Sequence, residues 1–172
     1  MTTNGYLSLD GLDFMFTDMA QRLIKDQNLV KCLYYTSPDA LSLNDLTTDQ
    51  RTGLIKQGQS TTRIRNIESS FLVTQEAVTE LRIYEAAIDS SNIYMADIYY
   101  IFDILIHYSL WNLDKGRRRA SIMATSILNC LNGQIINNGI GTLKFAERPL
   151  LKSMKFNENF LGYRMVATIK SV

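Results

Sequence analysis

The side chains that could carry chemistry in this sequence are few, and their spacing limits what that chemistry could be. His107 is the only histidine. It closes an aromatic run, where a satisfied structural imidazole is a better account than a general base. Asp97 and Asp103 stand six residues apart on an alternating segment, so both lie on one face of a strand but about 20 Å from each other. Direct pairing of those two carboxylates is thereby excluded. Glu85, on the preceding segment, could approach one of them and form a metal site; hydrogen bonding at a subunit contact is the plainer alternative. The two cysteines, Cys32 and Cys130, each fall within an apolar helical pattern, as buried thiols of a reducing compartment do. No CxxC, nucleophile elbow, Walker loop or HExxH occurs. Gly139-Ile140-Gly141 is too sparse for a phosphate cradle and enters a strand, where a β-bulge or close backbone approach explains it better. No catalytic group, metal or cofactor is expected.

Arg117-Arg118-Arg119 is more telling. Three cations in the first turn of a helix oppose its dipole, each at a cost of about 0.3–1 kcal/mol if exposed. Local folding does not favour that placement, so an anionic partner would give it a reason. Acidic groups of an adjacent subunit are the leading candidate, beside a merely solvated face and passing nucleic acid. Arg63 and Arg65 could make an analogous contact from an irregular arm.

The elements that must position these groups follow from hydrophobic spacing. With 172 residues, 46% hydrophobic and 20% charged, the chain can build a substantial core as one domain over residues 1–172. A net charge of +1 gives no global attraction to nucleic acid. No run is long enough to span a bilayer, and Met1–Gly5 does not open a signal peptide. Leu12, Phe16, Met19, Leu23, Val30 and Leu33 predict one amphipathic helix over Asp10–Tyr35, ended by Ser37-Pro38-Asp39. Residues 39–79 read as an irregular arm or long loop ordered by neighbours. Within it, Thr47-Thr48-Asp49-Gln50 has the form of a capping box for a short helix over Thr48–Lys56, and Ser70–Thr74 could form an edge strand.

Strands are expected at about Thr79–Ser90 and Ile93–Ser109, then a helix over Lys115–Asn132, then strands near Gly139–Phe145 and Phe160–Lys170. The predicted fold is α+β, a mainly antiparallel four-stranded sheet packed by two helices in the order α-arm-β-β-α-β-β. Its most unusual part is the run Ile98–His107. Ile98, Tyr100, Phe102, Ile104 and Ile106 form one apolar face, but Tyr99, Ile101 and Leu105 make the other apolar as well, interrupted by Asp103. A strand with two apolar faces needs cover on both. Its own domain would supply one and a second subunit the other, so Tyr99, Ile101, Asp103, Leu105 and Arg117–Arg119 are the expected subunit contacts.

Tyr99–Trp111 (YYIFDILIHYSLW), the helix after it, Gly139-Ile140-Gly141-Thr142-Leu143-Lys144-Phe145, and Asn159-Phe160-Leu161-Gly162-Tyr163-Arg164-Met165 together resemble the small neck and tail-completion proteins of long-tailed bacteriophages, tail terminators most of all. The resemblance runs from Thr79 to the end of the chain. It implies a homo-oligomeric, typically hexameric, ring in the virion neck, assembled in the host cytoplasm. That ring would bind the tail tube protein, stop tube polymerisation and meet the head-tail connector, with DNA passing through its lumen unbound. A head-completion or stopper ring is the nearest alternative. A small DNA-binding or nuclease-like domain using Arg117–Arg119, Glu85, Asp97 and Asp103 is the alternative of another class.

Overall fold

In chain order the elements are α1 (Asp10–Leu23), α2 (Gln27–Tyr34), α3 (Thr48–Gly53), β1 (Ile64–Arg65), β2 (Thr79–Asn92), β3 (Met95–His107), α4 (Arg119–Leu131), β4 (Ile135–Ile136), β5 (Gly141–Phe145), β6 (Lys152–Lys155) and β7 (Phe160–Ser171). The structure is a computed structural model and describes residues 10–68, 76–92, 95–136 and 141–171. The fold is α+β, but the sheet is larger than four strands. Its order is β1-β2-β3-β7-β5-β4, with β6 also paired to β7. It is mixed, because β1 runs parallel to β2 while every other pair is antiparallel. The four expected strands are β2, β3, β5 and β7. β1 and β4 have two residues each, too short to show a period, and β6 is the polar stretch Lys-Ser-Met-Lys, whose side chains give no apolar alternation.

The first expected helix is two. Asp26 sits in an extended conformation, and its carboxylate accepts from the Leu29 N–H at 2.8 Å, which starts α2 afresh. Met19, Leu23, Val30 and Leu33 are nonetheless buried, each helix turning its own apolar side to the core. The predicted arm is also corrected over its described part. Ala40, Leu46, Leu54 and Ile64 are buried in the main core, so this stretch packs on its own chain rather than waiting for neighbours. The capping box forms as expected, with Thr47 and Gln50 each accepting from the other's backbone N–H. The helix it opens ends at Gly53, short of Lys56. Ser70–Thr74 lies outside the described residues.

α4 packs on the β3 face made by Ile98, Tyr100, Phe102, Ile104 and Ile106, all fully buried, while α2 packs on β2 and α4, and α1 on α4 and β4. Leu81 and Ile83 of β2, Leu143 of β5 and Met165, Ala167 and Ile169 of β7 extend that face. Backbones approach closely at two glycines. A Cβ on Gly162 would lie 1.6 Å from the Ile104 carbonyl oxygen, and one on Gly141 would lie 2.1 Å from that of Lys170. Gly141 thus shows the close approach expected of the Gly139–Gly141 segment, whose first two residues lie outside the described ones.

Candidate functional site

The opposite face of the sheet carries the charged and half-buried groups. Here the register aligns Arg82, Asp103 and Arg164 across β2, β3 and β7. Arg164 donates from Nε to Asp103 Oδ1 at 2.7 Å and from Nη2 to Oδ2 at 2.8 Å. The Tyr84 hydroxyl donates to Oδ2 at 3.1 Å and accepts from Arg164 Nη2 at 3.1 Å. The guanidinium fork matches the carboxylate plane, so the fully buried Asp103 is charge-paired and hydrogen-bonded. The hydrogen bond to Asp103 raises the Arg164 pKa. Burial first, and the Asp103 charge second, push the Tyr84 hydroxyl up to about 12. Both groups therefore hold their protons at neutral pH. The cluster ties three strands together and offers neither a free base nor a nucleophile.

A second network lies along the sheet edge. Glu80 accepts from Arg82 Nη2 at 2.9 Å and from Arg65 Nε at 3.2 Å, while Arg82 Nη1 donates to the Glu68 carbonyl at 2.8 Å. Arg63 donates to the carbonyls of Ser60 and Thr62 at 2.7 and 3.0 Å, and burial lowers its pKa. The two arm arginines, Arg63 and Arg65, are thus engaged within their own chain rather than held out for a neighbour. Between the networks an open cleft of about 330 Å³ is lined by Glu68, Tyr84, Ala86, Ile101 and Arg164.

Each expected contact residue finds a definite place. Tyr99 and Ile101 are half-buried on this face, which no helix covers among the described residues. Leu105 is fully enclosed by Val78, Phe156 and Phe160 of its own chain, and Asp103 is closed in by Arg164 and Tyr84. The anticipated apolar stripe is therefore open at the Tyr99–Ile101 end only. The arginine triplet also divides, because α4 starts at Arg119 rather than Lys115. Lys115 and Gly116 take positive φ values of 60° and 70° in a 3₁₀ turn over Asp114–Gly116, which stops the helix from reaching further back. Arg119 is fully buried. Its Nε donates to the Leu110 carbonyl at 2.9 Å, Nη1 to those of Cys32 and Tyr35 at 2.8 Å each, and Nη2 to that of Ser37 at 2.9 Å. It stands at the C-terminal carbonyls of α2, where a cation is favoured. Burial pulls its pKa down. Arg119 is a core staple and cannot meet a partner. Arg117 and Arg118 are exposed.

The carboxylates proposed for a metal do not gather. Glu85 is opposite Tyr100 on the helix-covered face, whereas Asp97 lies opposite Asp89 and Lys170 on the other. Among the described residues no three His, Cys, Asp or Glu side chains converge on a point, and no helix is long and apolar enough to cross a membrane. His107 accepts or donates at Nδ1 with Ser109 Oγ at 2.8 Å and packs on Tyr108 and Phe160. Tyr84, Glu80, Arg82 and Arg164 were not anticipated. A signal existed in part, since Asp103 and Arg164 each interrupt an otherwise apolar strand and so call for a partner.

A family model named YomW matches residues 26–169, from the cap of α2 to Ile169 in β7. The chain belongs to the YomW family. The family name is of a phage-derived, SPbeta-like prophage type, and the protein is accordingly phage-related. No curated protein and no solved structure matches the chain. The YomW match includes both networks of the helix-free face, Arg119 and its carbonyl acceptors, and the cleft, and leaves out α1.

Proposed function

We propose that this chain is a non-enzymatic structural protein of a phage virion that forms a ring at the head-proximal end of the tail tube. It ends tube polymerisation and presents the surface for head joining. Its partners are further copies of itself, the tail tube protein and the connector on the head side, with DNA passing through the lumen. The observation that carries this reading is the pair Tyr99 and Ile101, half-buried on a sheet face that no helix covers among the described residues. Apolar surface left in that state is suited to a protein neighbour. The phage-related family supports the setting, and the resemblance to tail terminators supplies the ring and its place.

The nuclease-like alternative loses support because its acidic residues are divided between opposite sheet faces and Asp103 is committed to Arg164. The decisive experiment is to image tails assembled without this protein. Tubes of abnormal length are expected. Tubes of normal length that lack heads would overturn termination and move the protein to a joining or stopper role.

A further inference from the structure

Among the described residues, two stretches longer than the two-residue end strands β1 and β4 have a neighbour on one side only. Beyond Arg82, β2 pairs with β3 alone among the described residues, because β1 covers only Leu81 and Arg82. Among the described residues β6 pairs with β7 alone. Free edges expose backbone donors and acceptors and accept a further strand unless something blunts them. These two edges are opposite in charge. The β2 edge carries the exposed Asp89 and the half-buried Glu85, which is also hydrogen-bonded to the Tyr100 hydroxyl, and the β6 edge carries the exposed Lys152 and Lys155. Among the described residues, Asp89, Lys152 and Lys155 take part in no ion pair.

Register sharpens the match. Asp89 is opposite Asp97 on the helix-free face, and Glu85 is opposite Tyr100 on the helix-covered face; the bulge between Glu85 and Ala87 sets them on different sides. Lys152, opposite Arg164, lies on the helix-free face, while Lys155, opposite Leu161 and through it Ile106, lies on the helix-covered face. Laying β2 of one copy antiparallel to β6 of the next therefore brings Asp89 against Lys152 on one face and Glu85 against Lys155 on the other. Between them, Ala87 meets the half-buried Met154. Antiparallel is also the direction that head-to-tail repetition requires. β2, β3, β7 and β6 alternate in direction across the sheet, so the next copy's β2 continues the alternation with its helices on the same side.

We infer that copies of this chain associate head to tail by pairing the acidic edge of β2, over Glu85–Asp89, with the basic edge of β6, over Lys152–Lys155. Within one chain Lys155 is level with Thr79 through Leu161 and Ile106. Pairing it with Glu85 displaces the next copy by six residues, about 20 Å along the strands. The displacement clears β1, and strands tilted as in a closed barrel accommodate it in a ring. A lysine on an edge also serves to repel other edges. Opposite charges at matching spacing and facing on two edges favour mutual recognition over simple repulsion. The contact is heterologous and closes only around an axis. This inference rests on the ring reading above and assigns its contact.

The test uses the full chain at low ionic strength, with oligomer mass read by sedimentation and native mass spectrometry. Asp89→Lys and Lys152→Asp are each expected to weaken association on the order of tenfold, and the combined swap to restore it. In a second arm, a chain carrying Ala87→Cys is mixed with one carrying Met154→Cys, both with Cys130→Ser, and oxidised. Directly opposed antiparallel residues lie within disulfide reach, so a covalent dimer of unlike chains is expected. A wild-type chain that stays monomeric, a swap that fails to restore, or absence of the cross-link overturns the pairing. Abnormal tails without the protein, together with any of those results, would sink this contact and leave termination standing. Normal tails together with restored swap and cross-link would do the reverse.

Discussion

Arg119 shows how a side chain's role is decided by where its backbone lies rather than by its neighbours in sequence. One guanidinium satisfies the carbonyls of Leu110, Cys32, Tyr35 and Ser37 and so joins the end of α2 to the start of α4. Arg119→Met keeps much of the volume but leaves buried acceptors without a donor, and should cost about 3 kcal/mol or more in urea unfolding. Arg119→Lys should recover only part of this, because an ammonium cannot reproduce the planar fork. Tyr84 leads to a pH prediction. Below pH about 10 both folded and unfolded states keep the phenolic proton. Above that value the unfolded chain ionises first, while the folded group holds its proton until about 12. Stability should therefore fall across that window as pH rises. Tyr84→Phe should make the alkaline decline shallower in denaturant midpoints measured from pH 9 to about 12; an unchanged slope would contradict the assignment.

The sheet depends on close backbone approach between its long strands. β3 and β7 pair continuously from Asp97↔Lys170 to His107↔Phe160, and Gly162 lies within that run. A methyl group there would overlap the Ile104 carbonyl at 1.6 Å, and the obstacle is backbone, which has little freedom to yield. Gly162→Ala is expected to destabilise by about 3 kcal/mol or more, with hydrogen exchange accelerated most in β3 and β7. The break between α1 and α2 belongs to the same scale. Asp26 both caps α2 and accepts from the Ser126 hydroxyl at 3.0 Å, so a single residue ends one helical path and anchors the next against α4.

For the whole molecule, the division of the arginine triplet separates folding from assembly. Arg118 is exposed and occupies the N-cap of α4 without capping it through its side chain. An acidic residue there suits the helix dipole, so Arg118→Glu should leave stability unchanged or raise it by about 0.5 kcal/mol. If Arg118 meets an acidic neighbour in the ring, the same variant should still fail to assemble. Thermal unfolding beside sedimentation of the assembled state reads both quantities. A variant that assembles normally would remove Arg118 from the contact.

Much of the element order was legible because long runs repeat their signal. β2, β3, β7 and α4 each carry enough apolar residues at spacing two or near 3.6 to declare their type, and the capping box at Thr47–Gln50 is a purely local hydrogen-bond pattern. The short strands β1, β4 and β6 carried no such repetition and form because a neighbouring edge offers backbone partners. What the sequence alone determined about this protein is the alternation that commits Ile98–Ile106 to a buried face, since side-chain direction along a strand depends only on its own chain. Only the tertiary structure decided that Leu105 and Asp103 are enclosed, that Tyr99 and Ile101 stay partly open, and that Arg119 points inward. Those outcomes depend on groups tens of residues away, brought within hydrogen-bonding distance by packing that no local spacing encodes.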